Sequence, residues 1–132
     1  MSYKQLIIVL ILLLSFSRIT VFAQKNIPTK KEVTLVSNDA ILLMKEGSYE
    51  KSLMQSRLAL SKAIQLKDDN LIAGAYNTIA ANFDQLSEYD KAFYYYHKGL
   101  TYANKTNNDV LKNWINNNLG NIYCFDKKQY EK

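Results

Sequence analysis

A single cysteine, Cys124, and a single proline, Pro28, stand among 132 residues, and glycine occurs only four times. The lone cysteine excludes an intramolecular disulfide, so the fold has to rest on packing. Scarce proline and glycine remove the residues that most often interrupt helices, which favours long helical segments. His97 is the only histidine, too few for a zinc site, and no flanking motif marks it, Cys124 or any serine as an activated nucleophile or base. No glycine-rich phosphate loop, paired-carboxylate motif or zinc-type ligand spacing occurs either. No catalytic, cofactor-binding or metal-binding residue is therefore expected, and this segment reads as a non-enzyme without a cofactor, although a kinase domain could follow in a longer chain. His97 is expected at the surface or in a groove, and Cys124 as a half-buried structural thiol.

Charge of one sign is also in short supply. The formal excess of +5 falls to +3 once Lys4 and Arg18 are set aside with the leader described below. The lysines are spread along the chain and stand beside acids, as in Glu50-Lys51 and Asp90-Lys91. No continuous phosphate-tracking stripe is expected from them, so nucleic acid is not an expected partner.

What the chain does have is an apolar start. Leu6 to Phe16 is an almost unbroken hydrophobic run behind Lys4. It is shorter than the roughly 20 residues a membrane-crossing helix needs and fits the about 7 to 15 of a secretory h-region. Val21-Phe22-Ala23 places small residues where a signal peptidase reads, so residues 1–23 are read as a signal peptide with Gln24 as the new N-terminus. An uncleaved anchor extending Leu6 to Phe22 is the alternative, and Ser17 and Arg18 interrupt it. The expected location is outside the cytoplasm: exported, and periplasmic or tethered to a membrane. Residues 24–33, with Pro28 and several lysines, read as a flexible lead-in.

The remainder, 34–132, is organised by a displacement of 40 residues. Ala40, Ala80 and Gly120 align as small residues, and Leu43, Phe83 and Tyr123 follow as large apolar ones. Tyr49 and Tyr89 align after turns at Gly47-Ser48 and Ser87-Glu88, and Tyr130 joins them after one inserted residue. Leu53 pairs with Phe93, Ala59-Leu60 with Gly99-Leu100, and Ala63 with Ala103. The units are 34–68, 69–108 and an incomplete 109–132.

Within each unit the apolar residues step by three and four, as in Leu71, Ile72, Ala75, Tyr76, Ile79, Phe83 and Leu86. Asp68-Asp69-Asn70 and Asn107-Asn108-Asp109 offer side-chain acceptors for helix starts. Helices are expected over Thr34 to Glu46, Tyr49 to Leu66, Asp69 to Leu86, Tyr89 to Lys105 and Asp109 to Asp126, with a new one beginning near Gln129. The fold class is all-α.

These columns resemble the tetratricopeptide repeat (TPR), a helix-turn-helix with the pattern Trp-x2-Leu-Gly-x2-Tyr and then Ala-x3-Phe. Tyr76, Ile79, Ala80 and Phe83 take the first signature places in the middle unit, and Tyr89, Ala92, Tyr96, Gly99 and Leu100 continue it. The third unit supplies Leu119, Gly120, Tyr123 and Tyr130, with Asn116 where a large aromatic is usual. The first supplies Ala40, Leu43 and Tyr49, but Asp39 stands in place of leucine and Ser52 in place of alanine. The resemblance implies a TPR-like helical-hairpin solenoid of about two and a half repeats.

A 40-residue unit is longer than the common 34 and resembles the long repeats of bacterial TPR-containing signalling regulators. It implies an extracytoplasmic, protein- or peptide-binding module, the sensory N-terminal part of a membrane-tethered regulator of the histidine kinase or helix-turn-helix type. A stand-alone periplasmic scaffold or assembly factor is the alternative. An unfinished third unit is expected to be completed by more chain or by a partner.

By the same resemblance Asn77, Ala81, Asp84, Gln85, Trp114, Asn117, Asn121, Cys124 and Phe125 fall at groove-facing places. Trp114 suits either ligand contact or packing on Tyr102 or Leu100. Asn77 and Asn117-Asn118 stand where a carboxylate-clamping family member has lysine or arginine, which disfavours such a clamp.

Overall fold

Thr29 sets the start of the first helix. Its hydroxyl accepts from the Glu32 N–H at 3.2 Å, and the Glu32 carboxylate accepts from the Thr29 N–H at 3.0 Å, a reciprocal capping box. Helix α1 accordingly runs Lys30–Lys45 in the computed structural model, which describes residues 3–5, 7–12 and 27–130, with side chains to Cys124. The helix begins one turn before the start that periodicity suggested. Val33 is already fully buried, so 30–33 belong to the packed array and not to a flexible lead-in.

Four more helices follow: α2 Tyr49–Leu66, α3 Asp69–Gln85, α4 Tyr89–Ala103 and α5 Asp109–Tyr130. The described residues contain no strand, and residues 3–5 and 7–12 are helical as well. The break expected before Gln129 is absent: α5 continues to Tyr130. Asp126-Lys127-Lys128 lacks the chemistry of the earlier turn, where Gly47 takes φ +77° and Ser87 takes φ +59°.

The 40-residue period returns in the backbone. Gly47 and Ser87 donate to Met44 O and Asp84 O, and Ser48 and Glu88 donate to Leu43 O and Phe83 O. Asp68 accepts from the Leu71 N–H and Asn108 from the Leu111 N–H, both at 3.0 Å, to cap α3 and α5. Residue by residue, the sequence of buried, half-buried and exposed positions over 44–68 is the same over 84–108.

Successive helices pack against each other, and α1, α3 and α5 also touch in series, whereas α2 and α4 do not meet. Two layers result, α1-α3-α5 and α2-α4, with the core between them. Ile79, Ala80, Phe83, Ala92, Tyr96, Ile115, Leu119 and Ile122 form its main part, and Val33, Ala63 and Ile72 a second part under α1. Gly99 is the point of closest approach: a Cβ there would lie 3.3 Å from Ala73 O and 3.4 Å from both Ile115 Cδ1 and Tyr76 Cβ.

Two signature residues of the third unit are not buried. Gly120 is exposed and Tyr123 is 54% exposed, standing edge-on to Phe93 at 5.3 Å between ring centroids. The side chain of Tyr130 falls outside the described residues.

Ser52, out of pattern in the sequence, has a structural reason. Its hydroxyl donates to Ala40 O at 2.7 Å and accepts from Asn82 Nδ2 at 2.8 Å, tying α1, α2 and α3 together in a fully buried chain. Asn82 also donates to Thr78 O at 2.8 Å, which leaves Asn82 Oδ1 buried without a partner. Because a stranded buried amide costs about 1–3 kcal/mol, Ser52→Ala should destabilise the protein by that much. Ser52→Ala combined with Asn82→Leu should restore most of it. A double-mutant cycle by urea unfolding measures this; simply additive losses would contradict the coupling.

Candidate functional groove

The α1-α3-α5 layer encloses a cavity of about 360 Å³ at the amino-terminal halves of α3 and α5. Thr34, Ser37, Asn38 and Ile41 line it from α1, Asn70, Leu71, Gly74 and Thr78 from α3, and Asn108, Val110, Leu111 and Trp114 from the α5 side. No charged side chain lines it, and its recognition chemistry is apolar surface with amide and hydroxyl groups at the margins.

The repeat builds this site. Thr34, Gly74 and Trp114 occupy one register position, 40 residues apart, and all three face the cavity. At Gly74 no atom lies within 4 Å of where a Cβ would stand, so the floor of the groove is open above the α3 backbone. Val110 and Trp114 form the rim, 63% and 62% exposed. Trp114 therefore stands at the groove mouth and not in the core against Tyr102 or Leu100.

Amide pairs fix the spacing of the walls. Asn108 Nδ2 donates to Asn70 Oδ1 at 2.8 Å, and Asn118 Nδ2 donates to Asn77 Oδ1 at 3.3 Å, joining α3 and α5 at two heights. At the other wall Lys30 meets Asp68 at 3.1 Å. Burial pushes the Asp68 carboxyl up, but the Leu71 N–H and the Lys30 ammonium outweigh it and hold the carboxyl below its ordinary range. A lowered folded pKa means that this link stabilises the fold above the unfolded pKa and is lost as pH falls through the folded value.

Of the groove residues expected from sequence, Trp114 alone lines the cavity. Asn77 is half-buried in its bond with Asn118, and Ala81 packs on the core. Asp84 is half-buried, its carboxyl pushed up by burial, and it adds to the burial that raises the Tyr96 hydroxyl. Gln85, Asn117 and Asn121 are exposed away from the cavity. Phe125 lies outside the described side chains.

The cavity and the expected set share only Trp114; the cavity residues Gly74, Thr78 and Trp114 stand three residues before Asn77, Ala81 and Asn117. The cavity residues Thr34, Gly74 and Trp114 share one register position, a column in which side-chain size changes from small to none to largest.

Cys124 is exposed rather than half-buried, because Ile122 carries the buried face of that turn. His97 is exposed and stands edge-on to Phe93, with 4.4 Å between ring centroids. Among the described residues no three His, Cys, Asp or Glu side chains gather where they could hold a metal ion. A smaller cavity of about 210 Å³ lies between α4 and α5, walled by Tyr89, Asp90, Phe93, Ile122 and Tyr123. No known family profile and no curated protein matches the chain.

Proposed function

We propose that the protein is an exported, TPR-like binding scaffold whose α1-α3-α5 groove takes a peptide segment of a partner protein. The observation that carries this reading is the cavity itself: roomy, mostly apolar, rimmed by an exposed tryptophan and amide-bearing walls. Such a surface buries side chains of an extended or helical segment while Asn38 and Ser37 meet its backbone. The serial contact of α1, α3 and α5, together with the 40-residue recurrence of turns and burial, supports the TPR-like reading.

Export rests on the apolar run Leu6 to Phe16, of which residues 7–12 are helical and exposed. The cleavage site at Ala23 lies outside the described residues. No helix among the described residues is long and apolar enough to cross a membrane. The sensory role in a membrane-tethered regulator rests on resemblance to long-repeat signalling proteins. An occupant wedged between α1, α3 and α5 would change their mutual angles, which gives binding a mechanical output.

A photoreactive amino acid placed at Thr34 in cells should crosslink one discrete partner, whereas the same group at Ser61, exposed on α2, should not. Equal adducts from both positions, or none from Thr34, would remove the groove from consideration.

A further inference from the structure

The opposite layer has a different chemistry. From Lys51 to Leu66 and from Lys91 to Lys105 the sequence contains no aspartate or glutamate, while Lys51, Arg57, Lys62, Lys91, Lys98 and Lys105 are all cationic. The adjacent-acid pairing suggested by Asp90-Lys91 is not formed. Lys91 pairs instead with Glu88, and among the described residues no carboxylate reaches Lys51, Arg57, Lys62, Lys98 or Lys105.

Helical geometry turns these residues into stripes. Lys91 and Lys98 are seven residues apart on α4, so about 10 Å separates them along one face, and Lys105 stands in the turn just past the end of that helix. Each ammonium sits over a ring: Lys91 at 5.2 Å from Phe83, Lys98 at 5.4 Å from Tyr94 and Lys105 at 4.5 Å from Tyr102. These contacts hold the ammonium groups beside aromatic rings. Forty residues earlier the same register holds Lys51, Leu58 and Gln65, and on α2 helical spacing sets Lys51, Met54, Leu58 and Lys62 along one side.

Apolar groups are interleaved with the charges. Met54 is 71% exposed, Tyr94 55% and Leu58 45%. In the aligned burial register, Met54 and Tyr94 occupy the same outward position on α2 and α4. Cations bracketing protruding methionine, leucine and tyrosine side chains are the composition of a surface that lies in the headgroup region of a bilayer. An acidic protein would need the charges alone and would gain little from Met54 at such exposure.

We infer that the α2-α4 face docks on an anionic phospholipid surface, with Lys51, Lys62, Lys98 and Lys105 meeting lipid phosphates and Met54, Leu58 and Tyr94 entering the interface. The inference is independent of the groove, which opens on the other layer and stays accessible when this face is covered.

The test is flotation of the full chain with vesicles of phosphatidylcholine alone and of equal parts phosphatidylcholine and phosphatidylglycerol. The neutral vesicles account for any binding through the apolar run at residues 6–16. The parent protein should prefer the anionic vesicles, and salt should reduce that preference. K51Q/K62Q/K98Q/K105Q should lose about tenfold or more of the preference with an unchanged circular dichroism spectrum. Retention of the preference by that variant overturns the inference.

Met54→Ser with Leu58→Ser should weaken binding to anionic vesicles while leaving binding to poly-glutamate intact. If it binds the vesicles as well as the parent does, the face is a general polyanion site and the bilayer assignment fails.

Discussion

Phenylalanine in place of Gly74 should abolish partner capture in the groove without loss of stability. The added side chain starts from a position with no neighbour within 4 Å and projects into the cavity between Thr34 and Trp114. A glycine inside a helix also costs about 0.5–1 kcal/mol relative to alanine, so Gly74→Ala should raise the unfolding free energy by about that amount. Gly74→Phe should unfold no more easily than the parent, while affinity for a groove partner falls by about two orders of magnitude, as for loss of a hot-spot pocket. Thermal unfolding and a binding titration measure the two effects separately. A bound partner with undiminished affinity for Gly74→Phe would place recognition elsewhere on the molecule.

Loss of the Tyr96 ring should be the most damaging single change in the core. Tyr96 is the largest side chain buried to within 1% of complete, and it packs in the main cluster that joins α3, α4 and α5. Truncating a buried aromatic costs about 3–5 kcal/mol, a large share of the about 5–15 kcal/mol that holds a domain together. Tyr96→Ala should therefore populate unfolded protein at 37 °C, whereas Tyr96→Phe, which keeps the ring, should cost less than about 1.5 kcal/mol. Urea midpoints compare the two directly. Similar losses for both would mean that the hydroxyl near Asp84, and not ring packing, anchors this site.

Most of the helical architecture is legible in the chain because its signals are local. The three-four stepping of Leu71, Ala75, Ile79 and Phe83 needs only helix geometry, and Asp68 and Asn108 announce the starts of α3 and α5 through their own side chains. The start of α1 was equally local. Thr29 and Glu32 have the spacing of a capping box, obscured by the neighbouring Pro28 and lysines, which suggested an aperiodic lead-in.

The groove was less legible because its position depends on distances between helices. Periodicity says that Asn77 and Asn117 share a face with Gly74 and Trp114, but not at which height α1, α3 and α5 diverge. One amide pair bridges the higher level, where Asn118 meets Asn77, and the missing side chain at Gly74 opens the lower one. The Ser52–Asn82 chain was hidden for a related reason. A small polar residue at an alanine position looks like a defect until its partner from another helix, thirty residues on, is in view.

The contact pattern also says how a push would travel. Helix α3 touches every other helix of the array, while α2 and α4 share no contact of their own. α3 is thus the element through which the rest of the array is joined. Any shift of α3 at the Gly74 cavity would therefore be felt by α1, α2, α4 and α5 at once, including the two helices that carry the cationic stripes.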